Sequence, residues 1–591
     1  MNMRIAVTAA AVAAAAMQFA AKAAPSNPAA SAASAAAANQ VADGIAAVNR
    51  TSGDADAALA RTRAARKAAA EAKANEIFGM AGGEWLPKAV PETWRDLKKS
   101  TNDVEKAAEV LEDAARNAGY YLARVKVEDG RLVAVPGTFG AVGVAFKDGG
   151  TNSAEGRFFS AEQLRRRLAR GGVAEGEPFN YARLYEAFKD VNANPDLFAN
   201  VRLVSPVEKD GSRSLAVDLE VEEERPLHFV AALDNYGTGP DNGDYAADKW
   251  MARGTVQYLN LWKADHAVTA NALTSLDNTL WGGAASYYAP FAVGRRDASI
   301  TLHGGFTQVD SDDVVPDIDV EGAGWFAGVQ ASVELFPDWN DSLRLALGLT
   351  WRNVWDRLLV SADGQKEKLN KNEIDLLPLS VALLYSSGSL DSWMGRNYAT
   401  LEVVHNVGGS SAEEIKKQRF AAEDDYTVVR AQLARIQTLG RSGSYAGRDI
   451  LFGKVDAQWS DGALVSAEQM GVGGASSVRG YKEREWLGDR AVTASLEWRT
   501  PLLLGYLGGT TEGKTPRDRL QLVVFGDVGW IGIEDALAGE DDSQFLGSVG
   551  AGFRFAWGEH ALLRFDWGFP LKETPESDHS GRGHVSFSTQ F

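Results

Sequence analysis

The last three-fifths of the chain alternate apolar and polar residues with a period of two. In the stretch 343–351, leucine or tryptophan stands at every second position, and arginine, alanine, glycine and threonine stand between them. The stretch 492–499 repeats the pattern, with apolar residues at 492, 494, 496 and 498. About ten residues is the length at which a tilted β-strand crosses a bilayer. The pattern therefore predicts strands that each have one apolar and one polar face.

Sixteen such segments lie between Arg225 and Phe591. They begin near Leu227, Thr255, Ala267, Gly282, Ala298, Trp325, Leu343, Ile374, Tyr398, Tyr426, Leu451, Ala491, Leu520, Leu546, Ala561 and Gly583. Closed bacterial outer-membrane barrels have an even number of antiparallel strands, because in lipid every backbone polar group must be paired. We therefore predict an all-β transmembrane barrel over residues 225–591. A soluble β-sandwich would rarely keep one apolar face over so many segments.

Aromatic residues mark the ends of several predicted strands. Tryptophans near strand ends, as expected for an interfacial girdle, are Trp262, Trp351, Trp459, Trp498, Trp557 and Trp567. The final strand alternates too, with Phe587 and Phe591 on its apolar face. This strand resembles the C-terminal sorting signal of outer-membrane barrels, so Phe591 is a candidate signal residue.

Residues 91–224 alternate between helical and strand periodicity and divide into two small α/β modules, 91–148 and 149–224. In the first, a helix with a capping box at Asn102 precedes strand-like pieces at 121–127, 131–136 and 140–146. In the second, two helices precede a hairpin. Arginines at 165, 166, 167 and 170 form a basic helical face, which indicates either a solvated surface or a partner-binding site. Exposed strand edges of such modules are able to bind extended peptides by adding a strand.

The N-terminus has the order of a secretory signal peptide. Arg4 precedes an apolar run, and the small-residue triplet Ala21–Ala23 follows it. We expect residues 1–23 to be removed on export. Residues 24–90 are Ala-rich, and the stretch 61–73 has five basic residues and one acidic residue. This composition favours a helix, which is either a solvated linker or a segment with a specific role.

The composition and the absence of known catalytic motifs exclude several functions. The chain has no cysteine, which excludes disulfides and thiol catalysis, and 79 acidic against 61 basic residues argue against nucleic acid as a partner. It has no HExxH sequence, P-loop, nucleophile elbow or dinucleotide fingerprint. Aspartates at 241–244 and 310–313 fall in predicted loops and do not fit a calcium loop. We therefore predict no enzyme activity, no catalytic residues, no metal site and no cofactor.

A long, glycine-rich loop, roughly residues 460–487, lies between the eleventh and twelfth predicted strands. A loop that folds back into a lumen needs glycine to turn tightly. The candidate site residues in this loop are Gly473, Gly474, Val478, Arg479, Gly480 and Tyr481.

An arginine carried into a lumen needs a partner there. Parity places Asp527 on the lumen side of the thirteenth strand, with Gln521, Val523 and Phe525. We expect an Arg479–Asp527 pair to pin the loop, because removing either partner would leave a buried charge unpaired. Our hypothesis is that this pair holds the loop inside the barrel. The alternative is that Arg479 is a solvated loop residue.

Three stretches carry a family resemblance. The tetrad Val478–Tyr481 resembles the VRGY motif of the two-partner secretion outer-membrane transporters (ShlB/FhaC/HecB-like, TpsB) of the Omp85 superfamily, and it lies where that family has a lid-like loop. Phe525–Gly529 is similar to the family's F-x-D-x-G motif, which ends at Gly529. Residues 191–237 look like the passage from the second periplasmic module into the first strand. The resemblance covers about 90–591.

The resemblance implies a fold and a function. It implies an outer-membrane barrel of about sixteen strands, two POTRA modules in the periplasm, and an N-terminal helix that plugs the pore, for which residues 61–73 are the candidate. The implied function is export of a large, unfolded, β-rich exoprotein of the hemolysin or adhesin type. The modules would bind this client by β-augmentation, and the barrel would conduct it.

The family resemblance also implies partners, and two alternative functions remain open. The expected partners are the secreted client, outer-membrane lipid, and the periplasmic chaperones and barrel-assembly machinery that insert the chain; we expect a monomer. One alternative is an assembly factor that inserts other barrel proteins, although two modules rather than several count against it. A passive diffusion porin would need neither the modules nor the VRGY tetrad.

Overall fold

The computed structural model describes two small α/β units followed by a closed β-barrel. The described residues are 103–148, 151–204, 206–209, 212–237, 250–276, 278–294, 296–315, 318–336, 341–362, 365–440, 448–504, 518–537, 541–558 and 560–591. The predicted signal peptide (1–23), the Ala-rich segment with its basic stretch (24–90) and the aspartates at 241–244 lie outside these residues.

The first unit packs one helix on a hairpin: α1 (Val104–Asn117), β1 (Arg124–Glu128) and β2 (Arg131–Val135). The helix cap is Asp103, one residue after the predicted Asn102, and its carboxylate accepts two backbone N–H groups of the first turn. Leu111 and Ala115 are fully buried against the hairpin. The apolar spacing of the helix thus creates a core of its own.

The second unit is an α/β sandwich built on one sheet. Its elements are β3 (Thr138–Asp148), β4 (Thr151–Ser153), α2 (Ala161–Arg170), α3 (Tyr181–Val191), β5 (Leu197–Leu203), β6 (Val207–Lys209) and β7 (Ser212–Glu223). The sheet has the order β4-β3-β7-β5, with β6 on β7. Alternate residues of β7, from Leu215 to Val221, are buried beneath the two helices, as their period predicts.

Strand β3 lies in the second sheet, whereas the sequence placed it at the end of the first module. It pairs in parallel with β7 from Thr138 to Phe146. Phe139 and Phe146 are part of the core of the second unit. In its sheet, β7 is central, with β3 on one side and β5 on the other. The break between the two units therefore lies before Thr138 and not between residues 148 and 149.

The C-terminal region closes into an antiparallel barrel. Its strands are β8 (Leu227–Asp234), β9 (Met251–Leu261), β10 (His266–Ser275), β11 (Leu280–Val293), β12 (Arg296–Val315), β13 (Ile318–Glu334), β14 (Ser342–Ala362), β15 (Gln365–Ser386), β16 (Gly395–Gly409), β17 (Thr427–Thr438), β18 (Ile450–Ser460), β21 (Arg490–Arg499), β22 (Leu503–Leu504), β23 (Asp518–Gly532), β24 (Ser543–Trp557), β25 (Ala561–Pro570) and β26 (Arg582–Gln590). Both β21 and β22 pair with β23 and form one strand, interrupted at Pro501. Within the described residues the barrel has sixteen strands, as predicted.

Several strands are longer than the sequence indicated. Strands β12 to β15 have 17 to 22 residues, about twice the predicted length. The aspartates at 310–313, expected in a loop, lie within β12. Pairing of β12 with β13, and of β13 with β14, continues into this region. The sequence of one strand does not show how far such pairing extends.

The exposed tryptophans form two belts. We call the end at which β8 begins, next to the second unit, the proximal rim, and the opposite end the distal rim. Trp262, Trp393, Trp498 and Trp557 are exposed near the proximal rim. The exposed tryptophans on the distal side are Trp281, Trp325, Trp351, Trp459, Trp530 and Trp567. Aromatic side chains favour the two membrane–water interfaces, so the belts delimit the apolar band.

The last strand closes the barrel against the first. β26 pairs with β8 from Ser586 to Gln590, and the Phe591 N–H donates to the Phe229 carbonyl oxygen at 2.9 Å. Phe587 and Phe591 both have exposed side chains. Phe591 thus lies at the proximal rim, far from the lumenal loop.

The second unit docks on the turn between β9 and β10. Lys263 and Asp265 have positive φ angles there. Gln163 Nε2 donates to Asn260 Oδ1 at 2.9 Å, and Arg167 of α2 contacts the Asp265 carboxylate. Lys263 Nζ donates to the Gly156 carbonyl oxygen at 2.7 Å. Part of the predicted basic face is therefore an intramolecular contact, which neither sequence interpretation included.

One further helix, α4 (Ala412–Gln418), lies in the loop between β16 and β17. It begins at Ser411, which forms a capping box with Glu414. Among the described residues, we find no helix with the length and apolarity needed to cross a membrane.

Candidate functional site in the barrel lumen

The loop between β18 and β21, residues 461–489, folds back into the barrel; we call it the lumenal loop. Its arms pair as a short hairpin, β19 (Met470–Val472) and β20 (Trp486–Gly488). Gly473 and Gly474 follow β19 with φ angles of +114° and +95°. A Cβ on Gly473 would lie 2.6 Å from the Lys482 carbonyl oxygen, so the turn requires glycine.

Arg479 is 2% exposed and bound to Asp527. Its Nε and Nη2 donate to Asp527 Oδ2 and Oδ1 at 2.7 and 2.8 Å, and its backbone N–H donates to Oδ2 at 3.1 Å. Two parallel N–H···O bonds fix the plane of the guanidinium. Asp527 is buried on the lumen side of β23, together with Gln521, Val523 and Phe525.

Three further side chains hold the same guanidinium. Nη1 donates to Glu497 Oε1 at 2.5 Å, and Nη2 donates to Ser495 Oγ at 3.0 Å. Nη1 also lies 3.5 Å from Asp566 Oδ2. The guanidinium carbon stacks 3.5 Å from the centroid of the Phe525 ring. The sequence analysis did not single out Ser495, Glu497 or Asp566, although the alternation in 492–499 places the first two on the polar face.

Arginines of neighbouring strands balance the carboxylates around Arg479. Arg554 Nη1 and Arg564 Nη2 lie 2.6 and 2.8 Å from the Asp566 carboxylate. Arg499 Nη2 lies 2.6 Å from Glu497 Oε2. The network thus connects the lumenal loop to β21, β23, β24 and β25. Such a network is stable when all of its members are paired, and the loss of one member leaves several groups poorly satisfied.

Val478 packs against Gly529 of the F-x-D-x-G sequence. Val478 is fully buried, and a Cβ on Gly529 would lie 2.8 Å from Val478 Cγ2. Gly526, three residues earlier, faces outward, and a Cβ there would have its nearest neighbour at 3.9 Å. The glycine at 529 is therefore the one that makes room for the loop.

Gly480 and Tyr481 attach the end of the motif to other strands. Gly480 has a φ of +95°, and its N–H donates to His584 Nε2 at 3.0 Å. The Tyr481 hydroxyl lies 2.9 and 2.8 Å from the carbonyl oxygens of Gly547 and Lys572. The structure thus brings Val478–Tyr481, Asp527 and Gly529 together, with Gly473 and Gly474 at the turn of the same loop.

Glu483 follows the motif and accepts the Ala475 N–H at 2.6 Å. Its side chain is 12% exposed. Burial raises the pKa of Glu483 to about 7, from an ordinary value of 4.5. The protonation of this loop carboxyl therefore changes near neutral pH.

The base of the lumenal loop is bound to a different wall of the barrel. Glu468 is 0% exposed, and Arg352 of β14 and Arg430 of β17 both donate to it, Arg430 Nη2 at 2.8 Å. Burial acts to raise the pKa of Glu468, but the two arginines outweigh it and hold that pKa below its ordinary value. β14 and β25 are eight places apart in a ring of sixteen strands. The loop therefore spans the lumen from wall to wall.

Asp489, at the end of the loop, binds the segment that contains α4. Arg419 Nη1 and Nη2 donate to its two carboxylate oxygens at 2.7 and 2.9 Å. Asp489 is 0% exposed and also accepts the backbone N–H groups of Leu464 and Glu534, both at 2.8 Å. Sequence reasoning missed Glu468 and Asp489, because isolated acidic residues in a loop give no signal of burial.

Apolar side chains fill the distal lumen between these anchors; we call this cluster the distal plug. The loop that carries α4 contributes Ile415, Ala422 and Tyr426, and the lumenal loop contributes Leu464 and Val465. They pack on the lumen-facing residues Val354, Ile374, Leu376, Val404 and Val428. All of these are buried, so water is excluded from this part of the lumen.

A cavity of about 950 Å³, lined by both apolar and polar side chains, lies on the proximal side of the plug. Its wall is formed by β9 to β17, with residues such as Gln257, Thr269, Asn271 and Ser286. Arg167 and Asn194 of the second unit line its proximal end, and Arg352 and Arg430 line its distal end.

Comparison with known proteins gives the chain a context. The family model described as "Haemolysin secretion/activation protein ShlB/FhaC/HecB" matches residues 214–555. Two solved structures with a similar fold are CdiB from Escherichia coli and CdiB from Acinetobacter baumannii. The first has 18% identity and a TM-score of 0.65, and the second has 13% identity and a TM-score of 0.58; both matches cover 87% of this chain and 89% of the other. Among curated proteins, we found no significant match.

Proposed function

Because the chain belongs to the haemolysin secretion/activation protein family ShlB/FhaC/HecB, we propose that it exports one large, unfolded, β-rich exoprotein by two-partner secretion. Members of this family are outer-membrane transporters of a secreted partner, not enzymes. In this proposal, the α/β units bind the client, which then passes through the barrel.

One observation carries this proposal: the cavity of the barrel begins at the helices of the second unit. A diffusion pore has no need for a folded unit at its mouth. A transporter of unfolded chains needs one, because the client must be held and aimed at the lumen. The bonds between α2 and the turn at 262–265 hold the second unit in that place.

We propose that the α/β units are periplasmic POTRA modules and that β5 is the edge to which the client adds a strand. β5 ends the sheet order among the described residues. Phe198 on this strand is 59% exposed, and Tyr185 on α3 is 56% exposed. An unpaired edge beside exposed aromatic rings fits β-augmentation, in which backbone bonds give affinity and apolar contacts add to it.

The Arg479 network would hold the barrel in its transport-competent state. Its pairs tie the lumenal loop to β21–β25, and Val478 and Tyr481 fill the adjacent wall. The expected partners remain the client, outer-membrane lipid, and the periplasmic chaperones and assembly machinery that insert the chain, which acts as a monomer. Phe591, exposed after β26, remains the proposed sorting signal.

Deletion of the gene tests the function. Secreted proteins and outer-membrane proteins of the deletion strain, the complemented strain and the parent are compared by mass spectrometry. Loss of one large secreted protein, with other barrel proteins unchanged, supports the proposal. A general depletion of outer-membrane barrels would instead identify an assembly factor, and two unchanged proteomes would contradict both functions.

A further inference from the structure

The cavity and the distal plug meet at a charged cluster formed with β14 and β17, away from the strands that bind Arg479. Arg352 and Arg430 line the distal end of the cavity, and both bind Glu468 of the lumenal loop. Glu468 follows Leu464 and Val465, which are part of the plug, by a few residues. Movement of the plug out of the lumen would therefore have to break this cluster.

We propose that Glu468, Arg352 and Arg430 form a releasable lock on the distal exit, and that an extended polypeptide in transit binds along the β9–β17 wall and leaves past this lock. This inference rests on the proposed function. It assigns the path of the client and the residues that close it.

The two walls of the lumen differ in what they offer to a passing chain. The β21–β26 wall is occupied by the lumenal loop, through Arg479, Val478 and Tyr481. The β9–β17 wall faces the cavity with hydroxyl and amide side chains, among them Gln257, Asn271, Thr301 and Ser380. Such groups donate to and accept from any peptide backbone, so they bind an extended chain without selecting its sequence.

The two arginines of the lock are partly exposed to the cavity, whereas Glu468 is buried. The side chains of Arg352 and Arg430 are 24% and 18% exposed, whereas that of Glu468 is 0% exposed. Carbonyl and carboxylate oxygens of a client in the cavity are therefore able to reach the two arginines and replace Glu468. This exchange leaves neither cation unpaired, which avoids the main cost of breaking a buried ion pair.

The plug behind the lock is itself imperfectly satisfied. The Tyr426 hydroxyl is buried and has no hydrogen-bond partner among the residues that the structure describes. A buried hydroxyl without a partner lowers the stability of the packed state. The plug is therefore suited to leave once the lock opens.

Channel recordings on the purified full-length chain test the lock without a client. Glu468→Gln keeps the size of the side chain and removes its charge. Asp456→Asn is the matched control, because Asp456 pairs with Lys454 on β18, outside the lock. We expect Glu468→Gln to raise the open probability at least tenfold, since its contacts with Arg352 and Arg430 both lose the carboxylate charge, and Asp456→Asn to match the wild type. Equal open probability in all three chains, each shown to be folded by its heat-dependent gel mobility, would overturn the proposal.

Cross-linking tests the path in cells. The chain has no cysteine, so the thiols of Glu468→Cys and Arg430→Cys can be joined selectively by a bis-methanethiosulfonate, which forms a disulfide with each thiol and releases methanesulfinate. We expect the cross-linked double variant to stop secretion and the reductant to restore it; full secretion while cross-linked would overturn the proposed path. If the chain has no client, the wild type also secretes nothing in this assay. The channel recordings then still show whether the lock closes the pore.

Discussion

The two anchors of the lumenal loop are built differently. At the inner end, Arg479 is held by Asp527, Glu497 and Ser495, and the charges continue onto Arg499, Arg554 and Arg564. At the base, Glu468 is held by two arginines beside an apolar plug. The inner anchor is therefore a continuous charge network, and the outer anchor is a small ionic cluster on a hydrophobic seal.

The difference indicates that the two ends of the lumenal loop have different roles. A buried charge network is costly to break, since each removed partner leaves others unpaired. The apolar seal is held by few directional bonds, mainly those of Glu468 and Asp489, and the burial of its apolar side chains is not directional. We therefore expect the Arg479 end to stay attached while the Glu468 end opens.

Replacement of Arg479 by alanine should have the largest effect. It leaves Asp527 buried without its bidentate cation and leaves Glu497 with Arg499 alone as its close partner, a loss of about 3–5 kcal/mol for the docked loop. We expect export to be abolished while the barrel still inserts, as measured by client secretion and by heat-dependent gel mobility of membrane fractions. Arg479→Lys keeps the charge but cannot form the two parallel hydrogen bonds of a guanidinium. We expect its export to lie between that of the wild type and that of Arg479→Ala. Normal export by Arg479→Ala would remove the network from the mechanism.

Replacement of Asp489 by asparagine should weaken the attachment of the distal plug. Arg419 loses a charged bidentate partner, so we expect the plug to lose about 2–3 kcal/mol. Hydrogen exchange should rise in the segment 412–426 and stay unchanged around Arg479. Equal loosening at both ends would show that the two anchors act as one unit.

A side chain at Gly529 should displace Val478. We expect Gly529→Val to cost about 1–3 kcal/mol through overpacking, with a lower melting temperature in detergent and reduced export. Gly526→Val on the same strand is the control, because its side chain would point into open space. If both variants melt alike, the room at 529 does not serve the loop.

Protonation of Glu483 should have the smallest effect. Its pKa is raised from 4.5 to about 7, so the stability contributed by the neutral carboxyl is complete below pH 4.5 and is lost as the pH rises towards 7. We expect this pH dependence to be absent in Glu483→Gln, whose side chain is neutral at every pH. Unfolding midpoints of both chains at pH 5 and pH 8 measure the difference; parallel shifts would contradict it.

The sequence determined much of the architecture, because the period of a strand is local. A membrane strand has an apolar face wherever it meets lipid, so sixteen strands and the lumen side of Asp527 follow from parity alone. The glycines at 473 and 474 are also local signals, since a tight turn needs positive φ whatever surrounds it.

Register, partner choice and long-range closure required the tertiary structure. Glu497, Asp566 and Glu468 lie far apart in the chain, and which arginine each one meets depends on stagger across several strands. The parallel pairing of β3 with β7 moved a predicted boundary, because a strand's own residues do not say which sheet will bury them. The alternating pattern of the chain sets where strands form, whereas the pairing of distant charges in the lumen is decided by closure of the barrel.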